Sequence, residues 1–461
     1  MQSRPNSLLA MASRLSNLPM RQVSVVALAL VFLFGVYTLL GGDTASYNLY
    51  GPGNTGGGSA GDNIPGAITH TDHSKPWSPP GRPPPATPAV KETGRVVGLV
   101  FFGRREHVKI LDCYLQRNLK VNGGLLDEII FSVNTGNKDD LAYLDNELLP
   151  NRPQYRKYAL EKHKGWLGQW GCVTERDTIY IKIDDDVIFV EDNTVATMVE
   201  TLREKPDLFA VSANIINNPA LSWVHWHLGV FEPYWPEMTA PATPLNVSWR
   251  ASELPSYKGP RDGPEGFNPD GSTPAPFKGH RWLPVREKPA VPAPTEENKK
   301  GFPDPPYPVT KVTYDAFGPS LRNWGAGAQL HYSFLQHVER GETWKYKFKI
   351  WDYQYDRVSI NFFGIRGGDI MDVYPFPKGD DEGYLTVDRP RELRRHVVVA
   401  GEGLAVHFAF GPQYKAHDKK GLADTDLFSR YQAYADEMVC PFPKRNDNSS
   451  SAERQMDADA H

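Results

Sequence analysis

The sequence predicts an α/β protein, a mostly parallel sheet with flanking helices, carried on a single-pass N-terminal membrane span. Three observations predict it. Between about residues 96 and 213, short β-rich apolar runs alternate with segments whose apolar residues recur at helical spacing. One such stretch, Thr178–Val190, sets three consecutive carboxylates between two apolar runs. Near the start, Val23–Leu40 carries no charge and approaches the length of a bilayer span.

Taken in order, residues 1–21 form a short tail containing Arg4, Arg14 and Arg21, and no acid occurs before Asp43. With residues 22–40 as the anchor, the positive-inside rule leaves this tail cytosolic and sends the rest to the lumen. A cleaved signal peptide is the competing reading, since Gly41, Gly42 and Ala45 follow, but the run is longer than a usual signal core. Residues 41–93 are rich in Gly, Ser, Pro and Thr and predict an extended stem that holds a folded part off the membrane. The sequons at Asn246 and Asn448 suit a luminal location.

The folded part opens at residue 94. Val96–Gly103 predicts a buried strand, Val108, Leu111, Leu115 and Leu119 a helix, and Asn122–Gly124 its stop. Ile129–Val133 predicts a second strand, Leu141–Leu149 a helix ended by Pro150 to Pro153, and Thr178–Asp184 a third strand. Val195, Met198, Val199 and Leu202 predict a helix capped by Asp192 or Asn193, and Leu208–Ala213 another strand. The pattern then breaks. Eighteen of the chain's 40 prolines lie between Pro233 and Pro308, so residues 239–308 predict a long irregular insert, either an ordered lid or a disordered segment. Order resumes over 309–436, with a helix at Tyr332–Val338, an aromatic polar stretch at Trp351–Phe363 and a strand at Leu404–Phe410. Residues 437–461 form a polar tail.

Asp184, Asp185 and Asp186 end a buried strand, the edge where open α/β sheets gather ligands. Three adjacent carboxylates there repel one another and call for a compensating cation, best a hard divalent ion. A solvated acidic turn is the plainer reading, and the β-rich flanks on both sides weigh against it. Lys182–Phe189 (KIDDDVIF) resembles the DxD motif of GT-A-type nucleotide-sugar glycosyltransferases, and the whole chain is similar to fungal type II proteins of the nucleotide-diphospho-sugar transferase superfamily. The resemblance implies a GT-A-like fold, with residues 94–238 binding the nucleotide sugar and 309–436 facing the acceptor. It implies a luminal domain in the Golgi or ER, Mn2+ or Mg2+ as cofactor, a UDP-sugar as the favoured donor, and a glycan acceptor on protein, lipid or cell-wall polymer.

Carried over by residue, Asp184 faces the ribose and the waters of the metal, and Asp186 binds the metal directly. Asp185 is harder to assign, because alternate side chains of a strand point apart. A C-terminal histidine often joins such a metal, and His407 is the candidate, against the plainer role of a satisfied core residue. Gly103, Arg104 and Arg105 follow the first strand, where glycine permits close approach and arginine suits phosphate, and Asn134, with Thr135, ends the second. Asp352 and Asp356 are the leading candidates for a general base, with Asp369 third, although each could instead pair with Arg357 or Arg366. His225 and His227 would share one face of a strand, and with Trp223 suggest core packing or an aromatic shelf for a sugar.

Other classes fit less well. Net charge is −4 with mixed signs, which points to no nucleic-acid partner. Cys113, Cys172 and Cys440 allow at most one disulfide and leave an odd thiol. An EF-hand is excluded by Val187, Ile188 and Phe189 at positions that should be polar or glycine. A haloacid-dehalogenase phosphatase would use Asp184 as nucleophile, yet Ile188 replaces its usual Thr or Val. A tethered domain that binds a glycan or partner without turnover is the non-catalytic alternative.

Overall fold

The computed structural model describes residues 94–160, 166–242, 247–260, 262–286, 307–308, 322–377, 379–414 and 421–440. The expected cytosolic tail, anchor and stem, and the asparagine of each sequon, lie outside these residues. Among the described residues no helix is long and apolar enough to cross a membrane.

One mixed sheet organises the rest. Strand β1 (Val96–Phe102) is buried at every residue because it is covered on both faces and paired on both edges. Helix α1 (Arg105–Asn118) follows and ends before the expected Asn122–Gly124 stop, where Leu119 turns extended. Strand β2 (Glu128–Val133) leads to a short helix, Lys138–Ala142, whose cap Asn137 accepts two backbone N–H groups. Strand β3 (Tyr155–Ala159) was not legible in the sequence. It is an edge strand, so its Arg156 and Lys157 stay solvated and break the apolar run. Strands β4 (Ile179–Asp184) and β5 (Val187–Val190) flank the carboxylates. Helix α2 (Thr194–Glu204) and strand β6 (Ala210–Ile216) complete the predicted alternation.

Trp223–His227, expected on a strand, lies in helix α3 (Pro219–His227). The Asn218 side chain caps it and Pro219 occupies its first turn, a pairing that starts helices. Two residues along a helix turn about 200°, so His225 is buried while His227 is exposed, and the two share no face. In the proline-rich insert, β7 (Tyr234–Pro236) pairs with β8 (Trp282–Pro284), and the described residues between them add no strand but bury Trp249, Ala251, Leu254, Phe267 and Ala275. Phe267 makes edge contacts with Trp235, Trp282 and Trp324, rings that are all fully buried, so aromatic burial orders this stretch in place of strands. Trp324 opens helix α4 (Trp324–Arg340), which is buried nearly throughout.

Strands β9 (Ile350–Asp352), β10 (Phe362–Arg366) and β11 (Val397–His407) finish the sheet, and helix α5 (Leu427–Tyr434) packs behind it. The strand order is β3-β2-β1-β4-β10-β6-β11-β5, with β9 also paired to β11. Pairing is parallel from β3 to β4 and between β6 and β11, and β10 runs antiparallel to both its neighbours. The carboxyl ends of β1, β2, β4, β6 and β11 therefore meet the amino end of β10 along one edge. A disulfide joins Cys113 in α1 to Cys440, and Cys172 is a buried free thiol.

Candidate metal centre

The centre is built where β4 runs out. Ile181 and Ile183 point to one face, and Lys182 and Asp184 alternate onto the other. Lys182 is buried, its Nζ 4.8 Å from the Phe101 ring centroid. Such an ammonium needs partners. It has Asp184 Oδ1 and, at 2.8 Å, the Ile360 carbonyl. Asn361, just before β10, donates to Asp184 Oδ2 at 2.9 Å, so both oxygens of this carboxylate are held.

Asp185 turns back towards β1. It accepts the Gly103 N–H at 2.8 Å and Arg104 Nε at 3.0 Å, and Arg104 Nη2 closes the fork. A Cβ on Gly103 would stand 3.2 Å from Asp185 Oδ2, which explains glycine at this turn. Asp186 lies beneath, with Oδ1 3.3 Å from His407 Nε2 and Oδ2 3.1 Å from Arg104 Nη2. One ligand atom each from Asp184, Asp186 and His407 fall within 4.8 Å of one another.

His407 is placed by its successor. The Phe408 N–H donates to the Asp186 carbonyl at 2.9 Å. The Phe408 carbonyl accepts from Asn217 Nδ2 at 2.9 Å and from His331 Nε2 at 2.8 Å, while His331 Nδ1 faces the Tyr431 hydroxyl at 3.0 Å. The end of β11 is thus pinned to β4, β6 and α4 together.

Three carboxylates face Arg104, Lys182 and His407. Burial would raise the Asp186 carboxyl, but His407 and Arg104 outweigh it and hold it below the usual range. Burial raises Asp185 against the pull of Arg104, with the neighbouring carboxylates adding to the rise. Burial would lower His407, and Asp186 reverses this and raises it. His107, in the first turn of α1, is buried nearby with neither ring nitrogen hydrogen-bonded among the described residues. Burial, with Arg104 assisting, pushes it down to about 4.

Of the residues read from the sequence, Gly103, Arg104, Asp184, Asp185, Asp186 and His407 come together. Arg104 does so as the clasp of Asp185 and Asp186, a role that phosphate binding had not suggested. Asn134 sits half-buried on the same edge, its N–H bonded to the Phe102 carbonyl. Arg105 turns away to Glu106 at 2.9 Å and Asp139 at 3.3 Å.

The base candidates fare differently. Asp352 pairs with Val398 at the far end of β11 and bonds His396 at 2.8 Å. From Val398 to His407 strand β11 advances on the order of 20 Å, because it slips against β6 between Ala400 and Leu404, so Asp352 is not part of this centre. Asp369 is also remote, bonded to Arg395 near the start of β4 and the end of β10. Asp356 is exposed in a turn and accepts the Arg357 N–H at 2.9 Å.

Sequence reading missed Asn361, Asn217, His331 and Glu382. Glu382 bonds Arg357 Nε at 2.7 Å and the Ile360 N–H at 3.3 Å, and burial raises it against Arg357 and Lys182. Lys182 carried a usable signal, a lysine in an apolar strand two residues before a carboxylate.

No family model matches the chain, and a comparison with curated proteins finds no match. Among solved structures, the chain is similar to 4-diphosphocytidyl-2C-methyl-D-erythritol synthase from Anaerococcus prevotii DSM 20548, at 14% identity and a TM-score of 0.21, over 27% of this chain and 56% of that one. It is also similar to glucosyl-3-phosphoglycerate synthase from Mycobacterium tuberculosis, solved with Mn2+, UDP and glucosyl-3-phosphoglycerate, at 15% identity and a TM-score of 0.22, over 30% of this chain and 50% of that one. The chain spans about half the length of these two structures.

Proposed function

We propose that the chain is a metal-dependent glycosyltransferase that moves a sugar from a nucleotide-sugar donor, a UDP-sugar by preference, to a glycan acceptor. One observation carries this reading: the ligand atoms of Asp184, Asp186 and His407 gathered at the carboxyl edge of the sheet. Two carboxylates and an imidazole fit Mn2+ or Mg2+, and the buried Nδ1 of His407 lacks a hydrogen-bond partner among the described residues. When bound, such an ion supplies a Lewis acid for a departing diphosphate.

The chain's own residues do the positioning. Lys182 and Asn361 fix the Asp184 carboxylate, and the Arg104 fork fixes Asp185 and approaches Asp186. Gly103 and Asn134 lie on the donor side of this reading. Asp352 and Asp369 drop out of it on distance and pairing. The proposal keeps the folded part in the lumen of the Golgi or ER, on a type II anchor at residues 23–40. The Cys113–Cys440 bridge supports an oxidising compartment.

The test uses the full chain in detergent with a panel of UDP- and GDP-sugars. The expected result is thermal stabilisation by one donor only with Mn2+, together with slow donor hydrolysis, both lost in Asp186→Ala. Release of phosphate from simple phosphomonoesters, with no response to any donor, would overturn the reading in favour of a phosphohydrolase.

A further inference from the structure

Helix α3 carries an apolar face that the core does not use. Leu221, Ser222 and His225 are buried against the protein. Trp223, Val224, His227 and Leu228 recur at the spacing of a single helix face, Val224 half-buried and the other three exposed. Trp223 is 47% exposed and Leu228 is 44% exposed. Single exposed apolar side chains are ordinary, but a face of four next to a candidate site calls for an occupant.

Its chemistry narrows the choice. The His227 ring stacks on the Trp223 indole with centroids 4.0 Å apart. His227 Nδ1 lies 2.7 Å from the Trp223 carbonyl, and a carbonyl only accepts, so Nδ1 carries the hydrogen. In the neutral ring, Nε2 is then left as an acceptor beside the indole. No Asp, Glu, Lys or Arg occurs between Asn217 and Gly229. A flat indole with a neutral hydrogen-bond acceptor at its rim suits a sugar, which offers C–H groups on one face and hydroxyls around its edge. It does not suit a charged ligand.

The face also begins at the candidate metal centre. Asn218, the cap of α3, donates to Asn361 Oδ1 at 3.5 Å, and Asn361 donates to Asp184 at 2.9 Å. Trp223 stands five residues further, about 7.5 Å along the helix axis. We propose that Trp223, with His227, is the shelf on which an uncharged sugar ring of the acceptor glycan rests. This rests on the glycosyltransferase reading, of which it names the acceptor side.

The experiment compares the full wild-type chain in detergent with Trp223→Ala and Trp223→Phe. The probes are the methyl glycosides of glucose, galactose, mannose and N-acetylglucosamine, followed by saturation-transfer NMR. Contact with at least one probe is expected in the wild type. Binding should weaken roughly tenfold in Trp223→Ala, equivalent to about 1.4 kcal/mol, and recover partly in Trp223→Phe. Mn2+-dependent donor hydrolysis by the wild type is measured on the same sample, so that the shelf and the enzyme reading are judged separately. Equal binding by wild type and Trp223→Ala, or no contact in the wild type, would overturn the shelf. So would a dimer in sedimentation that Trp223→Ala dissociates, since a second chain would then be the occupant. Loss of donor hydrolysis in the wild type itself, with probe binding still dependent on Trp223, would instead overturn the enzyme reading and keep the carbohydrate site.

Discussion

The two ends of strand β11 carry much the same residue types and do different things with them. At its amino end, Asp352 is matched by His396, and nearby Asp369 is matched by Arg395 with Arg366 at 4.0 Å. Each carboxylate there has its own partner. At the carboxyl end, three neighbouring carboxylates share Arg104, Lys182 and His407, and Arg104 reaches both Asp185 and Asp186. Carboxylates that each have a separate partner are structural, whereas carboxylates crowded onto shared partners mark a place that a ligand completes. Residue type and aromatic company made Asp352 attractive in the sequence, and crowding with other carboxylates separates Asp186 from it.

The largest effect that would break this contrast is at Asp186. Asp186→Ala should abolish Mn2+-dependent donor stabilisation and lower turnover by about a thousandfold, the scale of lost metal-assisted charge stabilisation. Full turnover in that variant, measured with saturating donor and metal, would end the claim that the two regions differ. Next in size, Asp369→Ala should cost about 3 kcal/mol of stability, because it strands the half-buried Arg395 guanidinium. Its metal dependence should match the wild type. Chemical denaturation and a metal titration on the same sample separate the two effects.

The same contrast explains what could be read in advance. The Asp184–Asp186 triplet was legible because a strand puts its carboxyl end at a known edge and the residues there are contiguous. His407 was legible once a late strand was recognised. Asn361, Asn217 and His331 were not, since their roles depend on pairing between β4 and β10 and on the seating of α4 behind β11, contacts across 77 to 191 residues. Strand β3 was lost because an edge strand needs no apolar alternation. Helix α3 was misread because its aromatic run looks β-like, and the cap at Asn218 with Pro219 decided otherwise. The insert's prolines announced irregularity, while its order came from Trp235, Phe267, Trp282 and Trp324 meeting in space.

Burial without any charge partner provides the intermediate case. His225 is fully buried on the inner face of α3, with Nε2 2.8 Å from Asn214 Oδ1, and burial lowers it from 6.5 to about 3. Above pH 6.5 neither folded nor unfolded chain is protonated there, and the histidine is neutral to stability. Below it the unfolded chain takes up the proton first, so stability falls as pH drops from 6.5 towards 3. At pH 5 the loss should be about 2 kcal/mol. His225→Gln keeps a donor for Asn214 and removes the titration, so denaturation at pH 7 and pH 5 should differ by about that much less than in the wild type.

The smallest effect is the sharpest check on the opposite end of β11. Asp352 and His396 are each about one-third exposed, at 36% and 35% of their side-chain surface. Solvent screens a pair of that kind, so Asp352→Asn should cost less than about 1 kcal/mol. Its Asn also keeps an acceptor for the Gln354 N–H, which Asp352 now holds at 2.8 Å. Turnover should stay within about twofold of the wild type, since a group on the order of 20 Å away can take no proton from an acceptor at Asp184. A large drop in turnover with stability intact would mean that the acceptor reaches the amino end of β11. The crowded carboxylates at Asp184–Asp186 would then mark only the donor's half of the reaction.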